Sequence, residues 1–161
     1  MNREFTIIIE KDPESGWLVG SVAELPGCYT QARTMSELEE NMLTRLHHAQ
    51  ITIPKGTEDQ ARAFYCGLLG LREIQKPDSL KGRGGFWLEL GDMQIHIGTE
   101  DGFDRNTTKA HLAYQVDNVP AWHEKLTGAG IQIGDSVPIP GYDRFEFRDP
   151  FGNRVEFIQP I

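Results

Sequence analysis

Phe145-Glu-Phe-Arg-Asp-Pro-Phe-Gly-Asn-Arg-Val-Glu-Phe157 alternates apolar and polar residues on both sides of a compact turn. Successive strand side chains point to opposite faces. The stretch therefore reads as two strands, Arg144–Arg148 and Asn153–Gln159, with Asp149-Pro-Phe-Gly152 as the turn. Phe145 and Phe147 alternate with Arg144 and Glu146, so one of the two sets faces a core, and the alternation alone leaves open which. Glu156 shares a face with Ile158. A carboxylate inside a strand that ends a domain is costly to bury unless it has a partner. A divalent cation would be such a partner.

Working back from this stretch, Ala110–Val116 reads as a strand and Asn118 as the cap of a helix with Pro120 in its first turn. Gly128 and Gly130 end that helix, and a short strand follows at Ile131–Ile133. The same order occurs once before. His47–Ile53 is a strand, and Thr57-Glu-Asp-Gln60 matches a capping box. Ala61, Phe64, Leu68 and Leu71 line one helix face, and strands follow at Arg72–Gln75, Gly85–Leu90 and Met93–Gly98. Residues 47–98 and 110–159 thus both read β-α-β-β-β. Each opens with a histidine, His48 or His111, and ends in a strand with a candidate ligand at its middle, His96 or Glu156. His48 shares its face with Gln50 and Thr52, and His111 with Ala113 and Gln115. His47 faces away from His48, and His123 reads as a solvated helix residue. Two imidazoles and one carboxylate on strands leave coordination positions open for water or substrate. They suit Fe(II), Mn(II), Zn(II) or Ni(II). His48, His111 and Glu156 are the expected metal ligands, with His96 lining the pocket or serving as a fourth. Arg83, Trp87, Tyr142 and Arg144 are candidate substrate contacts; Arg144 could hold a carboxylate or phosphonate bidentately, or form a surface salt bridge instead. No residue type or spacing singles out a catalytic acid or base.

Upstream, strands at Phe5–Ile9, Trp17–Leu25 and Cys28–Arg33 precede a helix whose capping box is Thr34-Met-Ser-Glu37. Met35, Leu38, Met42 and Leu46 fall at helical spacing. This β-β-β-α unit is near the lower size limit for an independent core. The expected fold class is α+β: a small βββα unit over 1–45, then two βαβββ modules over 46–161 forming a curved-sheet cup.

Several stretches carry a family resemblance. Leu46-His-His-Ala-Gln-Ile-Thr-Ile-Pro54, Ala63-Phe-Tyr-Cys-Gly-Leu-Leu-Gly-Leu71, Met93-Gln-Ile-His-Ile-Gly98 and Lys109-Ala-His-Leu112, together with the closing stretch quoted first, resemble the glyoxalase/bleomycin-resistance/dioxygenase superfamily, the vicinal oxygen chelate proteins. The resemblance implies a metal held by His48, His111 and Glu156. It implies an enzyme, a lyase or dioxygenase, acting on a small molecule that chelates the metal through neighbouring oxygens, and a homodimer. The alternative is a resistance protein that sequesters a small molecule without catalysis. Glyoxalase-like members carry Glu at the end of the first module, where this chain has His96. Residues 1–45, through Phe5-Thr-Ile-Ile-Ile-Glu-Lys-Asp12, Gly16-Trp-Leu-Val19 and Glu24-Leu-Pro-Gly-Cys28, are similar to HicB-like antitoxin domains. That likeness implies an accessory or dimerisation module, or a toxin-binding one.

Composition narrows the partners. Net charge is −8, from 24 Asp/Glu against 16 Lys/Arg. Electrostatic capture of nucleic acid or of an anionic membrane is not expected. No apolar run approaches the ~18 residues of a membrane span, and the first residues lack the apolar core of a signal peptide. Cys28 and Cys66 have no CxxC spacing and read as free thiols of a cytoplasmic protein.

Overall fold

The computed structural model describes residues 6–24, 27, 29–40 and 46–161. Phe5, Leu25, Cys28 and Met42, which the sequence assigns to elements, lie outside them. The chain divides into two compact units, Met1–Leu46 and His47–Ile161.

In the first unit, β1 (Ile7–Lys11), β2 (Leu18–Val22) and β3 (Tyr29–Ala32) form an antiparallel meander with β2 central. Helix α1 (Met35–Glu40) covers one face. The expected capping box forms with its return bond shifted by one residue. Thr34 Oγ1 accepts from the Glu37 N–H at 3.2 Å, while Glu37 Oε2 accepts from the Arg33 N–H at 3.0 Å. Leu38, Val22 and Ala32 are buried. Leu38 sits so close over Gly20 that a Cβ there would meet Leu38 Cδ2 at 2.9 Å. Met35 and Leu46, expected on the buried helix face, are exposed instead. A three-stranded sheet is too narrow to cover more than the central leucine of one short helix.

The second unit contains the two modules. The first has β4 (His48–Ile53), α2 (Glu58–Arg62), β5 (Arg72–Ile74), β6 (Phe86–Leu90) and β7 (Met93–Thr99), with sheet order β4-β7-β6-β5. The second has β8 (His111–Gln115), α3 (Val119–Gly128), β9 (Ile133–Gly134), β10 (Tyr142–Arg148) and β11 (Arg154–Pro160), in the order β8-β11-β10-β9. The fold is therefore mixed α+β, a small three-stranded sheet followed by two four-stranded mixed sheets. In each module the first and last strands are parallel neighbours, which demands the long crossover that the helix supplies.

Helix α2 runs on as a wider π-helical segment, Ala63–Leu68, in which the Leu69 N–H reaches back five residues to Phe64 O at 3.0 Å. Phe64 and Tyr65 are both buried. The Thr57 side chain does not cap this helix; its hydroxyl donates to Pro54 O at 2.6 Å instead. Asn118 does cap α3, its Oδ1 accepting from the Ala121 N–H at 3.0 Å, a contact worth about 1 kcal/mol. One apolar core joins the two modules, with Ile53, Phe64, Ile95 and Ile97 in the first and Tyr114, Phe145, Phe147 and Phe157 in the second. Phe145 and Phe147 thus form the buried set of β10, and Arg144 and Glu146 take the opposite face. Two bonds to Thr52 O tie the end of β4 to later segments, from Asn153 Nδ2 at 2.9 Å and Arg105 Nε at 2.7 Å. Cys66 is a free thiol. Among the described residues no helix is long and apolar enough to cross a membrane.

Candidate functional site

Strand register places the polar residues of both modules in matching positions. His48 pairs with Gln94 and Gln50 with His96 across β4 and β7; His111 pairs with Arg154 and Ala113 with Glu156 across β8 and β11. His48 and His111 are therefore equivalent, as are His96 and Glu156. All stand on the face opposite the core, because Ile95 and Ile97, or Val155 and Phe157, occupy the alternate positions.

On the second module, His111 and Glu156 meet. His111 Nε2 lies 3.0 Å from Glu156 Oε2, and its Nδ1 lies 2.9 Å from Lys109 O. A carbonyl oxygen only accepts, so Nδ1 carries the proton. Glu156 is buried, and its other oxygen accepts from Arg144 Nε. Arg144 also donates to Glu146 and to Val137 O, and Arg154 donates to Glu146. Burial works to raise the Glu146 carboxyl, but hydrogen bonds from Arg154 and Arg144 outweigh it and hold it below the usual range. Arg144 and Arg154 thereby hold both carboxylates of this strip, and Glu156 Oε2 points at His111.

On the first module, three rings stack in series. Trp87 lies on His96 with centroids 3.9 Å apart and planes 2° from parallel. His96 in turn lies 4.2 Å from His48 at 15°. His96 Nε2 donates to Gln94 Oε1 at 3.0 Å. These rings border a cavity of about 620 Å³, lined by residues between His47 and Thr99 that include Arg83 and Lys76. Its size is that of a small-molecule site. His47, expected to face away from His48, approaches it instead, with the two Nδ1 atoms 3.1 Å apart.

Burial, with His48, His47 and Lys76 adding to it, pushes the His96 imidazole down to about 4. The neutral ring is favoured in the fold, so as pH falls the unfolded chain takes up its proton first. Stability owed to His96 is complete above about pH 6.5 and is lost progressively as pH falls to about 4. In metal-stripped protein the His96 ring resonances should titrate with a midpoint near 4; a midpoint above 6 would contradict the buried stack.

The remaining sequence candidates are scattered. Tyr142 is half exposed at the start of β10. His123, read as solvated, sets its ring edge-on to Phe145 at 5.4 Å. The structure joins His111 to Glu156 and His48 to His96, as two separate groups. Among the described residues no three His, Cys, Asp or Glu side chains converge to hold a metal ion. Lys76, Gln94 and Glu146 were not anticipated as site residues. Gln94 and Glu146 follow from strand alternation once the face is known, whereas Lys76 stands in a loop with no pattern to announce it.

Two βαβββ modules, each with a histidine opening its first strand and polar residues on the face away from the core, define a glyoxalase-type fold. A match to the glyoxalase/bleomycin resistance protein/dioxygenase superfamily covers residues 45–157, and the chain belongs to that superfamily. A glyoxalase family protein from Bacillus anthracis is 40% identical, with TM-score 0.70, over 75% of this chain and 98% of its own. The fosfomycin resistance protein FosX from Listeria monocytogenes shares the fold at TM-score 0.62 and 18% identity, over 74% and 93% of the two chains. Lactoylglutathione lyase from Agrobacterium tumefaciens does so at 0.57 and 17%, over 73% and 94%. A UPF0150 protein from Archaeoglobus fulgidus is 41% identical over 56 residues, 35% of this chain and 78% of its own.

Proposed function

We propose that this chain is a metal-dependent enzyme that acts on a small molecule able to chelate a divalent cation through neighbouring oxygens. One observation carries the reading: His111 Nε2 and the buried Glu156 Oε2 face each other at 3.0 Å. An imidazole and a carboxylate held side by side suit a borderline divalent metal. Lys109 O fixes the tautomer of His111, and Arg144 holds the second oxygen of Glu156. This is the outer support that metal ligands need. FosX has been crystallised with Mn(II), so a divalent metal is in keeping with the fold.

When bound, the metal supplies a Lewis acid that stabilises negative charge developing on substrate oxygen. The chain's own residues do the rest. His111 and Glu156 bind it, Arg144 orients Glu156, and the Trp87–His96–His48 wall excludes water from one side of the substrate. His48 is the third ligand. It stands apart from the His111–Glu156 pair on a single chain, so we place it there through a homodimer, the first-module face of one copy meeting the second-module face of another. Residues 1–45 serve as an accessory module of this cytoplasmic enzyme. Sequestration without catalysis is the second reading, supported by a first-module cavity that is lined without His111 or Glu156.

Metal analysis of the purified chain by mass spectrometry, with light scattering on the same sample, tests this. A divalent metal near one per chain in a particle of twice the chain mass is the expected result. A metal-free chain that takes up none of Fe(II), Mn(II), Zn(II) or Ni(II) on dialysis overturns it in favour of sequestration.

A further inference from the structure

We infer that the first-module cavity selects a small organic oxyanion, a carboxylate or a phosphate ester, and that Lys76 and Arg83 are the residues that read its charge. The inference rests on the enzyme reading only in calling that anion the substrate.

The starting observation is a charge imbalance. With 24 Asp/Glu in 161 residues, thirteen lining positions would carry about two acids by composition, and they carry none. They carry two cations instead, in a chain of net charge −8. Lys76 is half buried and donates to the Gly84 carbonyl, and Arg83 stands on the rim. Neither forms an ion pair among the described residues, although Lys55, Arg62, Arg72 and Lys81 elsewhere on this unit all do. Glu58 accepts from the Gly85 N–H and does not line the cavity. A half-buried lysine with no carboxylate beside it among the described residues gives a concave site a positive potential. Such a site concentrates anions.

The other lining groups suit the uncharged remainder of such a ligand. The Trp87–His96–His48 stack is a flat wall. Gln50 supplies an amide that packs against Gly98, where a Cβ would meet its Nε2 at 2.9 Å. Lys76 and Arg83 therefore supply the charge recognition, and the rings and amides supply shape.

Calorimetric titration of the metal-stripped full chain with benzoate, phenyl phosphate and the uncharged benzyl alcohol tests this. Benzoate or phenyl phosphate should bind saturably, and the tighter of the two identifies the head group. Benzyl alcohol should bind at least about tenfold more weakly, since hydrogen bonds to a charged group are the stronger kind. Arg83→Gln alone, on the exposed rim, should weaken the anion severalfold, and Lys76→Gln with Arg83→Gln at least about tenfold. Equal binding of benzyl alcohol, unchanged binding by the double variant, or no saturable binding of either anion up to about 10 mM overturns the inference. The two readings fail separately. Glu156→Gln should lose metal and keep benzoate, whereas the Lys76→Gln and Arg83→Gln variant should keep metal and lose benzoate.

Discussion

Glu156→Gln should lower metal affinity by well over tenfold while leaving the fold intact. Changes one shell away from a metal already cost 10- to 100-fold, and this substitution removes the only anion from the proposed ligand set. The amide keeps the shape of the carboxylate, so Arg144 can still donate to its oxygen. The face toward His111 would then be an NH₂ group. An amide NH₂ offers a divalent cation no lone pair, unlike a carboxylate oxygen. His111→Ala should act in the same direction by removing the neutral nitrogen donor. Arg144→Lys tests the supporting role. A lysine retains the charge but loses the planar fork that serves Glu156 and Glu146 together, so metal affinity should fall less than in Glu156→Gln. Metal content after dialysis against a weak chelator, read by mass spectrometry, ranks the three. Acid should release the metal as well, because an imidazole must lose its proton to bind. If Glu156→Gln retained the wild-type metal content, the His111–Glu156 contact would be a plain proton-bridged ion pair, and the ligand assignment would fall.

The parts of this arrangement that were legible in the sequence are those set by local periodicity. Alternation put Gln50 and Thr52 on the face of His48, and Ala113 and Gln115 on the face of His111, and the strand pairings agree. Glu156 followed from the same rule, because a one-residue slip in β11 would have exposed Val155 and Phe157. What alternation does not contain is which side the core takes. In β10 both faces are chemically coherent, Phe145 with Phe147 and Arg144 with Glu146, and tertiary packing, α3 on β10 and β11 and Phe64 on Phe147, decides between them. Local hydrogen-bond competition was equally opaque. Thr57 has the sequence context of an N-cap, yet its hydroxyl finds the Pro54 carbonyl first. The π-helical segment lets two adjacent rings, Phe64 and Tyr65, both be buried, which a 3.6-residue period does not anticipate. The cavity was half legible. Arg83 and Trp87 could be proposed from the glycines beside them, but Lys76 reaches the site through tertiary structure alone.

Those glycines support the largest stability effect expected in this unit. Gly85→Ala should destabilise the fold by about 3–5 kcal/mol, combining a left-handed backbone forced on a residue with a Cβ and an overpacked contact. Gly85 has φ of +69°, and a Cβ there would stand 1.9 Å from the Ile97 carbonyl oxygen and 3.2 Å from Gly98 Cα. Both are backbone atoms of β7, so no rotamer change relieves the overlap and the strands must separate. Gly91→Ala is the matched control. It has φ of +59° in the β6–β7 turn, but nothing lies within 4 Å of its Cβ position. It should lose only the strain, about 1 kcal/mol. The difference between the two, measured by urea unfolding, isolates the close approach of Gly85 to β7. At roughly 2–4 °C per kcal/mol for a chain of this size, Gly85→Ala should lower Tm by about 10 °C. The functional consequence follows from register. Phe86 pairs with Ile97 and Trp87 with His96, so moving the start of β6 off β7 pulls Trp87 away from the His96 ring. Loss of that stack re-exposes His96 to water, and its titration midpoint should climb from about 4 toward the ordinary histidine value. A Gly85→Ala protein as stable as Gly91→Ala, with the His96 midpoint unmoved, would mean that β6 does not approach β7 as closely as described.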